Sequence, residues 1–153
     1  METILDKRYC SKENIEKYIE DLYQQITYNA VFGVLDKVVG IGNSGLHVST
    51  KLANKLMLPH ESVQIGFYGE QKTPLEKPIV VKNIDYEQNG KHILLVDDII
   101  DTGKTTRTFV QYFGTYTALA TLFWNPKIKP APHFYSQIKP TEWIVFPWDN
   151  PTK

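Results

Sequence analysis

Hydrophobic residues recur along this chain at two spacings, one typical of amphipathic helices and one typical of buried strands. Residues 11–29 carry apolar side chains at intervals of three and four, which predicts a helix capped by Ser11. The same spacing returns in residues 46–58, and a further helix is predicted from Thr102 to about residue 113. We therefore expect three helices.

Short apolar runs between those segments predict the strands. The run at residues 92–96 is almost continuously hydrophobic, which is typical of a central strand in a parallel sheet. Further strands are expected at residues 38–41, 62–67, 79–81, 116–124 and 142–146. Because strands alternate with helices, the pattern predicts an α/β fold with a doubly wound, mainly parallel sheet flanked by helices.

Two segments rich in proline interrupt this pattern. Residues 68–78 contain two prolines, a glycine and several charges, and are predicted to form a flexible arm that carries Lys72 and Lys77. Residues 125–141 contain four prolines and are predicted to be irregular. A length of 153 residues suits one core, so residues 1–153 are expected to form a single domain.

The charge balance argues against a nucleic-acid partner. The chain has 17 basic and 17 acidic residues, whereas a general nucleic-acid-binding protein normally carries a basic excess. No apolar run approaches the roughly 20 residues that span a bilayer, and the polar N-terminal segment does not resemble a signal peptide. The single cysteine, Cys10, cannot form an internal disulfide. A cytoplasmic protein without membrane or nucleic-acid partners is expected.

Three carboxylates and a glycine-containing turn follow the predicted central strand. Asp97 and Asp98 end the apolar run, and Asp101 comes three residues later. Paired acids at a strand end can accept hydrogen bonds from vicinal ribose hydroxyls and help to hold Mg²⁺. The next five residues begin a predicted helix, where backbone N–H groups and hydroxyls form an anion site suited to phosphate: Thr102, Gly103, Lys104, Thr105 and Thr106.

The nucleotide-binding P-loop is the main alternative for this segment. That motif requires a glycine five positions before Gly103, and the residue there is Asp98, whose carboxylate would repel a phosphate. A strand followed by a merely structural acidic turn would explain one acid but not three. We therefore favour a site for a phosphorylated ribose.

Residues 94–106 resemble the signature of the type I phosphoribosyltransferases, a hydrophobic strand followed by two acids and an Asp-Thr-Gly-Lys-Thr phosphate loop. Within that family the match is closest to the purine enzymes that use xanthine, guanine or hypoxanthine. The resemblance implies that Asp97 and Asp98 contact the ribose hydroxyls, with Asp98 nearest the metal. It implies that residues 102–106 hold the 5′-phosphate and that Asp101 faces N7 of the purine as its acid/base.

A second resemblance lies in residues 142–149, which look like the hood of the xanthine–guanine branch. It implies that Trp143 stacks on the base and that the Ile144 main chain binds its edge, within a small hood that includes residues 125–153. Asp149 could reach the metal on the pyrophosphate side. The alternative is that Trp143 and Trp148 only fill a core.

Two positions depart from the family pattern. The family's pyrophosphate loop usually has Arg or Lys followed by Gly, where this chain has Asn43 and Ser44 before Gly45. Backbone amides can still bind pyrophosphate there, and the missing charge could come from Lys72 or Lys77.

The second departure concerns the base. Oxopurine enzymes usually place a lysine before the proline that follows the penultimate strand, and here that residue is Asn125. An amide both donates and accepts, so Asn125 could bind a 6-oxo or a 6-amino group. Lys127 and Lys129 are near enough in sequence to substitute.

The resemblance implies Mg²⁺-dependent transfer of a phosphoribosyl group from 5-phosphoribosyl 1-pyrophosphate (PRPP) to guanine, xanthine or hypoxanthine. The products would be a nucleoside monophosphate and pyrophosphate, and the enzyme would be a homodimer or homotetramer. One alternative is the same reaction with adenine or another base. The other is a regulator that binds PRPP without catalysis, which the Asn43–Ser44 loop suggests and which Asp101 and the neutral charge oppose.

Overall fold

The computed structural model describes residues 6–68, 74–82 and 92–149. Within these ranges the chain forms, in order, β1 (Lys7–Tyr9), α1 (Lys12–Thr27), β2 (Lys37–Ile41), α2 (Gly42–Leu56), β3 (His60–Tyr68), β4 (Pro74–Lys82), β5 (Ile93–Ile100), α3 (Lys104–Phe113), β6 (Ala118–Trp124), β7 (Phe134–Ile138) and β8 (Trp143–Val145). Short 3-10 turns occupy Ala30–Val34 and Pro147–Asp149.

Six strands form the central sheet, in the spatial order β4-β3-β2-β5-β6-β7. All neighbours pair in parallel except β3 and β4, which are antiparallel. Successive residues of the inner strands face opposite sides: Val38 packs with α1 and α2, whereas Val39 packs with Phe109 of α3. Helices therefore cover both faces, which explains the unbroken apolar runs and confirms the doubly wound sheet.

Helix α1 follows the predicted pattern closely. Ser11 caps it, because the Ser11 hydroxyl accepts from the Asn14 backbone N–H at 3.0 Å and the Asn14 side chain accepts from the Ser11 N–H at 3.1 Å. Its buried stripe is Ile15, Ile19, Leu22 and Ile26.

None of the helices in the described ranges has both the length and the apolar character needed to cross a membrane.

Helix α2 begins earlier than predicted, at Gly42 instead of residue 46. The glycines of this segment suggested a turn, because glycine is a poor helix former. Gly45 is instead buried against β5, where an added Cβ would lie 3.3 Å from both the Val96 carbonyl oxygen and Asp97 Oδ1. The glycine serves close packing between helix and strand, which sequence periodicity does not reveal.

The described residues of the arm predicted at 68–78 belong to β3 and β4, and residues 69–73 lie outside the described ranges. Strands β3 and β4 pair antiparallel, with Ile65 opposite Val80 and Tyr68 opposite Pro74. Proline is tolerated because β4 is the edge strand of the sheet. The N–H group that proline lacks is therefore not needed for hydrogen bonds between inner strands. Lys77 is exposed on β4, and Lys72 lies outside the described residues.

The segment 125–141, predicted to be irregular, contains β7 at the opposite edge of the sheet. Its prolines flank that strand without entering it, so they do not prevent pairing with β6. A separate two-stranded sheet joins β8 to β1, a strand not predicted from the polar N-terminal segment. This pair fixes the hood, since Lys7 lies opposite Trp143 and Arg8 opposite Ile144.

Candidate active site

A cavity of about 220 Å³ opens beyond the carboxyl end of β5, where ligands bind in sheets of this type. It is lined by Asp97, Ile99, Ile100, Asp101, Thr102, Gly103, Lys104, Thr105, Thr106, Lys139, Trp143 and Ile144. Most of the candidate residues therefore meet in one place. The cavity joins the end of β5 and the start of α3 to the hood.

An acidic pair lies near the end of β5, where Asp97 lines the cavity and Asp98 is not among the lining residues. Asp97 is buried and Asp98 is half-buried, and each accepts a backbone N–H through one oxygen: Asp97 Oδ1 from Asp98 at 2.9 Å, and Asp98 Oδ1 from Ile99 at 2.8 Å. Burial raises the pKa of the Asp97 carboxyl well above its ordinary value, and the charge of Asp98 raises it further. Burial also raises the pKa of Asp98. The two neighbouring carboxyl groups therefore favour binding of a ligand that donates hydrogen bonds or carries positive charge.

These carboxylates fit an open Mg²⁺ site better than a closed one. No cluster of three His, Cys, Asp or Glu side chains suited to a metal occurs in the described ranges. Mg²⁺ commonly uses one or two carboxylates and completes its shell with water and substrate oxygens. The charge of Asp149 is close enough to contribute to the raised pKa of Asp98, while Asp149 Oδ2 accepts the Phe146 N–H at 3.1 Å.

The turn after β5 presents the start of α3 to the cavity. Gly103 has a φ of +78°, a conformation that disfavours other residues. A Cβ there would also lie 2.6 Å from Arg107 Nη1 and 2.8 Å from Ile128 Cγ2. Thr102 Oγ1 accepts the Lys104 N–H at 3.3 Å, and the Lys104 ammonium lies 4.4 Å from the centre of the Phe67 ring. Backbone amides at this helix start are available to an anion.

The second candidate loop is the first turn of α2. Asn43 Oδ1 accepts from Gln64 Nε2 at 3.0 Å, which ties the loop to β3. Ser44 is half-buried, and Gly45 packs against Asp97. Gly45 is thus adjacent to the acidic pair, whereas Asn43 contacts β3, and none of the three residues lines the main cavity.

The two hood tryptophans have different environments. Trp143 is 60% exposed and lines the cavity beside the buried Ile144. Trp148 instead stacks between His47, with ring centres 4.5 Å apart, and Phe146, at 4.7 Å. Filling of the hood core therefore accounts for Trp148, whereas Trp143 offers a free aromatic face to a ligand.

Asp101 lies at the mouth of the cavity, 52% exposed. Asn125, which directly follows β6, is hydrogen-bonded to the Asp101 backbone. Its Nδ2 donates to the Asp101 carbonyl oxygen at 3.1 Å, and its Oδ1 accepts the Lys127 N–H at 3.1 Å. Asn125 itself is not among the residues that line the cavity. Its amide is occupied in holding the loop together.

Lys139 lines the cavity, although it was not predicted as a site residue. It follows β7 directly, and its Nζ lies 3.9 Å from Asp101 Oδ1. The segment had been predicted as irregular, so no strand end pointed to it. A Lys-Pro pair directly after the short run 134–138 was the available signal, because it repeats the arrangement of Asn125 and Pro126 after β6.

The chain matches one protein-family model, the phosphoribosyl transferase domain, over residues 6–153. It is 32% identical over 91 residues to the xanthine-guanine phosphoribosyltransferase of Gluconobacter oxydans, a match covering 59% of this chain and 54% of that protein. The chain thus spans about half the length of this relative. The enzyme of the same name from Cereibacter sphaeroides is 28% identical over 119 residues, which cover 76% of this chain and 71% of that one.

A solved structure shares the whole architecture. The crystal structure of a purine phosphoribosyltransferase from Pyrococcus horikoshii superposes with a TM-score of 0.79 and 25% identity, and the match covers 95% of each chain. The match therefore extends over nearly the full length of both chains.

Proposed function

The chain belongs to the phosphoribosyl transferase domain family, and from that premise we propose that it is a Mg²⁺-dependent purine phosphoribosyltransferase. Its substrates are PRPP and a 6-oxopurine, namely guanine, xanthine or hypoxanthine. One observation carries the proposal: the start of helix α3, a carboxylate and an exposed aromatic ring line the same cavity. These three groups suit the phosphate of PRPP, N7 of the purine and the ring of the purine.

In this proposal the ribose phosphate binds at the end of β5. Asp97 and Asp98 accept hydrogen bonds from the ribose hydroxyls, and the amides of residues 102–106 hold the 5′-phosphate at the start of α3. Mg²⁺ held beside this site would supply positive charge to the pyrophosphate group. Asp98 is the chain's proposed ligand for the ion, with Asp149 on the pyrophosphate side.

The purine binds between the hood and Asp101. Trp143 stacks on its ring, and the Ile144 main chain binds its edge. The bond from C1′ to the pyrophosphate oxygen breaks, and its electron pair leaves with pyrophosphate while the attacking ring nitrogen bonds to C1′. Asp101 accepts the proton that the base releases, which keeps electron density on the base during the attack.

A screen of bases tests the function. Purified protein with Mg²⁺ and PRPP is expected to release pyrophosphate with guanine, xanthine or hypoxanthine, and to give little release with adenine, uracil or orotate. Turnover with adenine alone would keep the mechanism and contradict the choice of base. No turnover with any base, despite measurable binding of PRPP, would contradict the enzyme and favour the regulator.

Loss of the Trp143 ring should weaken binding of the base selectively. Trp143→Ala is expected to raise the KM for the base about tenfold, because base–aromatic stacking contributes about 1–3 kcal/mol. The KM for PRPP and the midpoint of thermal unfolding should change little, since the side chain is exposed. Steady-state kinetics with each substrate varied in turn measures both values.

Trp143→Phe is the matched control, because it keeps an aromatic face and should stay within a few-fold of the parent. An unchanged KM for the base in Trp143→Ala would remove Trp143 from the base site.

A further inference from the structure

Lys139 places a positive charge at the end of the cavity where the base is proposed to bind. Its Nζ donates to the Pro140 carbonyl oxygen at 3.1 Å and lies 3.9 Å from Asp101 Oδ1. The side chain is only 19% exposed, and the Lys139 backbone N–H donates to the Trp124 carbonyl oxygen at 2.8 Å. These two hydrogen bonds position Lys139 at the carboxyl end of the sheet. A ligand that contacts Asp101 would therefore also be close to the Lys139 ammonium group.

Lys139 and Asp101 form a complementary pair of hydrogen-bonding groups. An ammonium group donates only, whereas a carboxylate accepts. On one edge of a purine, N7 lies beside the substituent at position 6, which is an acceptor oxygen in guanine and hypoxanthine and a donor amino group in adenine. Because Lys139 Nζ lies 3.9 Å from Asp101 Oδ1, a base whose N7 faces Asp101 can place its 6-substituent against Lys139.

Neighbouring groups are poorly placed to do the same. The Asn125 amide is engaged by Asp101 and Lys127 backbone atoms and does not line the cavity. Lys127 and Lys129 are exposed, and neither is a lining residue. Of the side chains proposed to read this edge, Lys139 alone combines a lining position with a donor-only group.

We propose that Lys139 determines the specificity of the site, by donating a hydrogen bond to the 6-oxygen of the base and disfavouring the 6-amino group of adenine. The inference rests on the proposed function, because it assumes that a purine lies beside Asp101 and Trp143. It assigns the choice of base to the end of β7, on the edge strand, instead of to the Asn125 position after β6.

Product binding tests this inference separately from catalysis. Calorimetric titration with inosine monophosphate and adenosine monophosphate compares two ligands that differ in the 6-substituent. The parent protein is expected to prefer inosine monophosphate, and Lys139→Met should reduce that preference about 10- to 100-fold, the range for loss of a charged hydrogen bond. Lys127→Met is the matched control and should keep the preference. Lys139→Gln, which can both donate and accept, provides a second variant if Lys139→Met does not fold.

Failure of the role of Lys139 and failure of the proposed catalysis give different binding results. Equal affinity of the parent for the two nucleotides, or an unchanged preference in both Lys139 variants, overturns the role of Lys139. An equal loss of affinity for both nucleotides in the variants also overturns it, since that pattern indicates a structural role through Asp101. If the parent turns over no base yet binds inosine monophosphate preferentially and Lys139→Met loses this preference, the role of Lys139 stands and the proposed catalysis fails.

Discussion

Asp101→Asn is expected to lower kcat with an oxopurine by about 10²–10⁴-fold, the usual range for removal of a general acid/base. The amide keeps the size of the side chain but cannot take the proton from the base. Affinity for PRPP should stay within a few-fold, because the acidic pair and the start of α3 remain intact. Pre-steady-state kinetics for the chemical step and calorimetry for PRPP separate the two effects.

The control for Asp101→Asn is Asp21→Asn, an exposed position on α1 far along the chain from the cavity residues. It should retain full activity. If Asp101→Asn turns over bases at nearly the parental rate, another group takes the proton and the assignment of Asp101 is wrong.

Asp97→Asn is expected to make the protein more stable and much less active. The buried carboxylate of Asp97 lies beside Asp98, and no basic side chain among the described residues forms an ion pair with it. Removing this charge should raise the free energy of unfolding of the ligand-free protein by about 1–2 kcal/mol, a typical gain when a functional residue is replaced by one that suits the fold. Activity should fall about 10- to 100-fold through loss of a charged hydrogen bond to the ribose.

The stability difference between Asp97→Asn and the parent should depend on pH. Burial and the charge of Asp98 raise the pKa of Asp97 in the folded state above its value in the unfolded chain. The folded parent therefore binds this proton more tightly, and its stability rises as the pH falls through the folded pKa. The advantage of the variant should be greatest above that pKa and disappear as the pH approaches the ordinary carboxyl value near 3.8.

Urea unfolding of both proteins without ligand or metal, at several values between pH 8 and pH 4, measures this difference. Asp21→Asn, an exposed substitution, should change stability by no more than about 0.5 kcal/mol at any pH. A parent that equals or exceeds Asp97→Asn in stability at pH 8 would show that the carboxylate is not a destabilising charge.

The sequence predicted the parts of the site that depend on consecutive residues. One continuous segment, from the end of β5 to the start of α3, carries Asp97, Asp98, Asp101 and residues 102–106. A strand-to-helix turn therefore brings these residues close together without contacts from distant parts of the chain. The cavity brings most of these residues together, and the family and fold expected from them are confirmed. The roles assigned to individual residues stay predictions.

Elements that depend on distant partners were predicted less well. Strand β7 forms because Phe134 and its neighbours pair with β6, and β1 forms because it pairs with β8. Neither strand has the long apolar run that makes β5 recognisable, since each lies at the edge of its sheet. Lys139 was overlooked for the same reason: its position in the cavity depends on the end of an unpredicted strand.

The start of α2 shows a different limit. Glycines usually indicate a turn, and Gly45 was interpreted in that way. Here the absence of a side chain allows the helix to approach Asp97 and the Val96 carbonyl oxygen. A glycine that forms a turn and a glycine that allows close packing look the same in the sequence. Only the position of β5 against α2 distinguishes them.

The pairing of β1 with β8 implies an order of assembly during synthesis. Arg8 and Glu142, whose side chains meet at 3.4 Å, are 134 positions apart, so their contact cannot form until residue 142 has left the ribosome. The turn between β5 and α3, which is proposed to bind phosphate, can form beforehand together with the strands of the central sheet. A nascent chain stalled before residue 142 is therefore expected to bind PRPP-like phosphates before it can bind a base.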